Sequence, residues 1–515
     1  MPFIDWNTSS VHFDPEAFDI VIVGAGAAGI LLAMNLSEKN KRVLLVESGH
    51  FAEDDARQVL NEVEQAGKAV TSAVWGRKRA IGGTTIAWGG QSLPFGMLDF
   101  EKRPWVAESG WPFGYEELRA YYLAANRFMN IDELDYEDDV LRLLKMKRPD
   151  IDARQLHFHF SKWAPEPDFR KLYEDQLRTR VTVVYNAVLT RLHDDGGSRV
   201  TGITISNFQG RQETIKTRML ILAPGCIEAN RILLLHRRQE NTRNRFSEWL
   251  GKCFMEHPCI EVGDVRANRL WRLQENFNTH VSHRRKYSIR LSLAEEQQRQ
   301  EKLLNGSASI LFRYENEEMD PYNEVRQLLR QRRLGNLRKL PFAHFKALVM
   351  GATALGFRNF VYKHNSLAKL IMMMEQEPST DSYIELGDKK DQFGLTKVNL
   401  NWQISFNTWR SVVFLSNAAK KEIERAGFGK VQLYEHIEEK EPSWNKYLSD
   451  VNHHMGGTRM SASPDLGIVD PELRVWGFDN LYICSTAVFP TGSHSNPTLT
   501  LLALAQRLAD KLSKQ

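Results

Sequence analysis

The sequence predicts an α/β fold built on a parallel sheet, from three neighbouring stretches. Residues 18–23, FDIVIV, form a continuous apolar, β-branched run of the kind buried on both faces of a parallel sheet. GAGAAG follows at once at residues 24–29, and the stretch ILLAMNLSEK beyond it is helical in character. A second strand, RVLLVE, then ends in Glu47.

Each element of that unit has a physical task. Gly24 allows a tight turn, Gly26 lets the backbone approach a pyrophosphate, and Gly29 lets the helix pack closely on the strand. A phosphate then meets free N–H groups at a helix N-terminus. Glu47 ends the second strand where a ribose hydroxyl needs an acceptor, which suits FAD or NAD better than the 2′-phosphate of NADP. Further along, VTVVYNAVLTRLHDD (181–195) is strand-like, and residues 202–225 read as a hairpin leading into a buried strand, MLILAPG, that ends at Gly225 before a helix. There is no second GxGxxG, which argues against a reductase with its own NAD(P)H domain.

Composition bounds the rest. The chain has 515 residues, 42% of them hydrophobic, with 12 Trp and 26 Phe, enough for more than one domain. Cys226, Cys253, Cys259 and Cys484 have neither CxxC pairing nor metal-ligand rhythm, so no metal site is expected and free thiols are. The first twenty residues contain no Lys or Arg and four acids, unlike a secretory signal, so a cytoplasmic chain is expected. The longest apolar stretch, ALVMGATALGF from Ala347, is about half the ~20 residues that span a bilayer. Charge is uneven: residues 324–364 hold nine Lys or Arg against one acid, with Val325, Leu328, Leu329, Leu334 and Leu337 near helical spacing. Such a segment suits a peripheral position on an anionic membrane surface, an anionic substrate, or a solvated helical insertion. No nucleic-acid signature accompanies it.

At residues 79–91, RAIGGTTIAWGGQ, four glycines bracket Trp88 as if the backbone wraps against a flat ligand. This resembles the flavin-contacting loop of the glucose-methanol-choline family of FAD-dependent oxidoreductases. The resemblance extends through GKCFMEHP (251–258), SYIELGDKKDQFGLTKVNLNW (382–402), HMGGTRM (454–460), GIVDPELRVWGFDNLYICSTAVFP (467–490) and SNPTLTLLALAQRLADKL (495–512). Within the family, HMGGTRM and NPTLT are most similar to the sugar- and glycoside-oxidising branch that includes pyranose oxidase. The resemblance implies a discontinuous, Rossmann-like FAD domain (17–100, 180–260 and 450–515) and a substrate domain (101–179 and 261–449) with an antiparallel sheet covered by helices. Residues 265–370 match the family poorly.

The implied chemistry is oxidation of a secondary ring hydroxyl of a sugar or glycoside to a ketone, with a primary alcohol as the nearest alternative and a non-redox binding protein as the remote one. A neutral imidazole suits the base, since its ordinary pKa of ~6.5 leaves it mostly deprotonated at neutral pH. By the HxGGT motif that base falls on His454, with His453 structural and Asn496 as the paired donor. Asn496 also reads as an N-cap, followed by Pro497 at the first helical position. The FAD contacts implied are Gly24, Gly26, Ala27, Ala28, Gly29, Glu47, Gly83, Thr84, Ala87, Trp88, Gly89, Gly90, Val188, Gly225, Thr486, Asn496, Pro497 and Thr498. Ala87 stands where the pyranose-oxidase subset has a flavin-linking His, so the FAD is expected to be non-covalent. Glu375 and Gln376 are expected to hydrogen-bond a polyol. The electron acceptor is left open between oxygen, a quinone and a redox protein.

Overall fold

The computed structural model describes residues 3–14, 17–239, 246–315, 320–330, 341–437 and 442–514. Its nucleotide-type sheet has six parallel strands in the order Phe3–Asp5, Thr182–Tyr185, Val43–Val46, Ile20–Val23, Leu220–Leu222 and Leu481–Ile483. Strands Ile20–Val23, Val43–Val46, Leu220–Leu222 and Leu481–Ile483 are buried along their whole length, as the unbroken apolar runs require. Three distant parts of the chain therefore build one sheet. The Ala27–Glu38 helix packs against the Pro497–Leu512 helix above it.

Two details depart from the expected outline. The sheet begins before residue 17, because Phe3–Asp5 pairs with Thr182–Tyr185 at its edge. The strand-like run 181–195 is also broken, at Asn186, whose φ of +58° turns the chain. Asn186 is held there by its own N–H, which donates to Gly49 O at 2.8 Å, and by Nδ2, which donates to Asp5 Oδ1 at 2.7 Å. Beyond the break, Val188–Asp194 joins Val200–Ser206 and Gln212–Lys216 in a three-stranded antiparallel sheet.

A second, eight-stranded sheet runs from Gly429–Leu433 through Cys259–Ala267, Leu367–Met374, Gly306–Arg313, Arg285–Leu293 and Leu156–Trp163 to Gln91–Ser92, with His280–Ser282 beside Arg285–Leu293. One face is apolar, with Phe158, Phe160, Ile289, Leu291 and Ile310 packed in one core with Trp409 and Leu415 of the Phe406–Arg425 helix. The other face carries His159, Ser161, Arg290 and Ser292, and meets the C-terminal segment where the His159 and His494 rings stack 5.9 Å apart. The basic segment forms helices Pro321–Arg330 and Phe342–Arg358, the second exposing Phe342, Phe345 and Phe357. Residues 331–340, with Arg332, Arg333, Leu334 and Leu337, lie outside the described residues. No helix among the described residues is long and apolar enough to cross a membrane.

Glu375 lies just past the Leu367–Met374 strand and does not offer itself to a ligand, contrary to expectation. It forms a two-pronged ion pair with Arg103, at 2.8 and 2.5 Å, and both side chains are fully buried. It also accepts Asn305 N–H at 2.9 Å. Gln376 is equally occupied: Oε1 accepts from Glu256 N and Trp402 Nε1, while Nε2 donates to Phe254 O and Gln403 O. Both residues hold the fold together, because buried partners from several separate parts of the chain, Arg103 and Glu256 among them, saturate them. Removing one member of a buried pair strands the other charge, so Glu375→Ala should lower stability by about 3–5 kcal/mol. Denaturant unfolding of the variant checks this, and an unchanged midpoint would contradict the pairing.

Candidate active site

A cavity of ≈ 830 Å³ opens at the C-terminal ends of the parallel strands, within the range of about 300–1,000 Å³ typical of ligand sites. All the residues implied as FAD contacts line it except Gly29 and Gly90. Gly29 serves packing instead, since a Cβ there would lie 1.9 Å from Gly24 O. Gly24 itself has φ +104°, and a side chain on it would strike Ala223 O at 2.5 Å. Gly26, the N-cap of the Ala27–Glu38 helix, faces open space, so the helix N-terminus is bare toward the cavity. Glu47 is 5% exposed, and its two oxygens accept Ala25 N–H at 2.9 Å and Gly49 N–H at 2.8 Å. Burial raises its pKa, while those N–H groups and Arg79 work against the shift.

This cradle fits a dinucleotide: a bare helix N-terminus for phosphate, an acceptor for ribose, and a long cavity. The cations at its wall were missed in the sequence. Arg79 reaches Glu228 at 2.8 Å and Asn61 at 2.8 Å, and burial pulls the Arg77 guanidinium down to about 9. Arg79 opens the glycine loop at 79–91 and Arg77 lies just before it, but neither was singled out as a cavity residue.

At the other end stands the histidine pair, of which His453 and not His454 is the neighbour of Asn496. Asn496 Nδ2 lies 3.3 Å from His453 Nε2, so the amide meets His453 rather than His454. His454 turns the other way: its Nε2 lies 2.9 Å from Ser72 Oγ, and its ring stacks on Phe254. The alternation of side chains is as expected, but the assignment of the two faces is corrected. The glycines beside them also do something other than admit a ligand. Gly456 has φ +81° and packs so closely on Cys253 O that a Cβ would lie 1.9 Å from it.

Hydrogen bonding determines which nitrogen of His453 is free. His257 is fully buried, and its Nε2 lies 3.1 Å from Gly492 O, which can only accept, so Nε2 carries the proton. Burial holds His257 down at about 4, so it is neutral and its Nδ1 is an acceptor. That Nδ1 is 2.9 Å from His453 Nδ1, which must donate. His453, also held neutral by burial, therefore presents a lone pair at Nε2, the atom facing Asn496. Asn496 caps the Pro497–Leu512 helix by position, but its side chain makes no cap hydrogen bond and is left for His453. His257 lies in GKCFMEHP, yet its partnership with His453 was not visible in the sequence.

A dinucleotide cradle that ends at an imidazole with a free lone pair and a paired amide defines an FAD-dependent oxidoreductase acting on alcohols. The chain carries the C-terminal domain of GMC oxidoreductases and an FAD-binding domain. A family model described as GMC oxidoreductase matches residues 378–505, and one described as FAD binding domain matches residues 19–54. The fructose dehydrogenase large subunit of Gluconobacter japonicus is 20% identical over 96% of this chain and 97% of that protein. Paromamine 6'-oxidase of Streptomyces fradiae is 28% identical over 24% of this chain and 25% of its own. The pyridoxine 4-oxidase structure from Mesorbium loti shares the fold, with a TM-score of 0.58 at 15% identity over 97% of this chain and 99% of that one.

The buried histidines make acid stability a test of this site. Desolvation holds His159 and His454 at about 3 and His257 and His280 at about 4, with His453 and His494 also well below 6.5. The unfolded chain takes up these protons below pH ~6.5 while the folded chain does not, so stability falls as pH drops toward 4, by up to about 1.4 kcal/mol per unit for each histidine. Glu256, pushed up to about 8 by burial, acts oppositely: its contribution is lost as pH rises from 4.5 toward 8. Asp99, pushed up to about 6, and Glu47, also raised by burial, act as Glu256 does, and six histidines outweigh these three carboxyls below pH 6.5. The melting temperature should drop steeply from pH 6.5 to 4, and a flat profile would contradict the neutral assignments.

Proposed function

We propose that the enzyme oxidises a ring hydroxyl of a sugar or glycoside, with His453 as the base and Asn496 as the donor that holds the reacting oxygen. The observation that carries this reading is the 3.3 Å approach of Asn496 Nδ2 to His453 Nε2 at the wall of the cofactor cavity. The sugar class is supported by the fructose and paromamine named in the two relatives. FAD, when bound, supplies the two-electron acceptor for the hydride leaving the carbinol carbon. Gly26, Glu47 and the N-terminus of the Pro497–Leu512 helix would hold it, and Ala87 offers no side chain for a covalent link.

The protein's own part is positional and acid–base. A hydroxyl placed between His453 and Asn496 gives its proton to Nε2 and takes a hydrogen bond from Nδ2. The resulting imidazolium keeps its Nδ1–H on His257 Nδ1, so the charge forms with an acceptor already in place. His257 is a positioning residue in this scheme, and His454 supports the wall through Ser72.

Anaerobic titration of the yellow protein with a panel of sugars and glycosides, followed at about 450 nm, should find substrates that bleach the flavin, with product NMR giving the oxidised carbon. His453→Asn should retain the colour and slow bleaching by about 10²- to 10⁴-fold, whereas His454→Asn should slow it far less. The reverse order would return the base to His454. Acid precipitation should release the flavin into the supernatant, and flavin left on the pellet would contradict non-covalent binding. For His257, the Asn variant keeps an acceptor near the place of Nδ1 and should preserve the pH dependence of kcat/KM. His257→Leu strands the His453 Nδ1–H and should shift that dependence. Identical pH profiles for the two variants would remove His257 from the scheme.

A further inference from the structure

The face of the eight-stranded sheet turned away from the Phe406–Arg425 helix bears polar groups that the fold leaves unused. Strand register sets Arg290 opposite His159, and Ser292 opposite both His157 and Ser307, so these side chains project to one side. Among the described residues the Arg290 guanidinium makes no hydrogen bond and no ion pair; the Cys259 thiol is the one group whose field favours its charge. Three more atoms here have no protein partner: His159 Nδ1, His494 Nε2 and Ser307 Oγ, in residues only 5%, 4% and 1% exposed. They form one neighbourhood. The His159 and His494 rings stack, Ser292 Oγ is 3.0 Å from His159 Nε2, and His494 is two residues from Asn496.

A partly exposed guanidinium without a counter-charge is available to an anion, and each orphaned buried polar atom adds the cost of a missing hydrogen bond. A site that receives a ligand explains the unpaired guanidinium and the three orphaned atoms together. We propose that this patch is a substrate subsite for a carboxylate carried by the sugar, so that the substrate class is an acidic sugar or its glycoside. The inference rests on His453 and Asn496 as the reacting centre. Arg290 supplies the charge, and its planar fork matches a carboxylate in two parallel bonds. The imidazoles of His159 and His494 stay uncharged, so the patch carries one positive charge, which suits a monoanion. The His159–His494 stack, with His494 two residues before Asn496, sets the subsite toward the reacting end, and the field of Arg290 at His257, His453 and His494 agrees with that placement.

The test is anaerobic calorimetric titration of the FAD-loaded protein with D-gluconate, an acidic polyol, and with uncharged D-glucitol. Gluconate should bind at least about 10-fold more tightly, and Arg290→Gln should weaken it about 10- to 100-fold without changing glucitol binding. Arg290→Lys, which keeps the charge, should retain part of the preference, with flavin content and circular dichroism verifying that both variants are folded. Equal affinities for the two polyols, or a preference that survives Arg290→Gln, overturn the subsite. D-glucose 6-phosphate binding more tightly than gluconate through Arg290 overturns the carboxylate assignment in favour of phosphate. Binding is read here rather than turnover. A negative result is therefore distinct from failure of the reacting pair, which would show as unchanged flavin bleaching in His453→Asn.

Discussion

The buried carboxyl group of Glu256 accepts the backbone N–H of His453, at 2.6 and 2.8 Å from its two oxygens, of Val451 at 3.3 Å and of His257 at 3.0 Å. Those donors come from two segments almost two hundred residues apart in the chain. One fully enclosed side chain thus fastens the segment at 451–453 to the segment at 256–257. The Met255–Met455 bridge continues the seam, with N–H to O distances of 2.8 and 2.9 Å. With the backbones fixed in that register, His257 and His453 meet at their Nδ1 atoms, and His454 Nε2 lies 2.9 Å from Ser72 Oγ and 3.6 Å from Glu256 Oε2. The free nitrogen of the site is a consequence of where Glu256 holds the backbone.

That dependence separates what the sequence could reveal from what it could not. The glycine turn and Glu47 were legible because their geometry is local: a strand, a tight turn and a helix must follow one another within thirty residues. The parallel sheet was legible for the same reason, through its unbroken apolar strands. The choice between His453 and His454 was not local. Alternation says that two neighbours face opposite ways, but which way is set by Glu256 and by the turn at Asn452, whose φ is +68°. Glu375 was misread similarly. Two polar residues after an apolar strand look available until Arg103, 272 residues earlier, is found on the carboxylate.

Asn496 falls between these cases. Asn followed by Pro at a helix start is a strong capping signal, and the helix does begin at Pro497. The cap hydrogen bond is nevertheless unmade: Nδ2 turns to His453, and Oδ1 accepts no N–H of the helix's first turn. Proline at the first position has no N–H to satisfy, which lowers the cost of leaving the amide free. A position that reads as structural in the sequence thus releases its functional group at little cost to the helix.

The same electrostatics ties the proposed subsite to the reacting pair. Burial holds the nearby imidazoles neutral, and the positive charge of Arg290 presses them in the same direction. A neutral His453 is able to accept a proton, but beside an uncompensated cation it is a weak base. A carboxylate seated on Arg290 cancels that field, so the imidazolium that forms at His453 becomes less unfavourable when the acidic group is bound. An uncharged alcohol placed identically over the cofactor would leave the field in place. Recognition of the distant anionic group and basicity at the reacting carbon then become one quantity, and discrimination falls on the rate of proton removal as well as on binding.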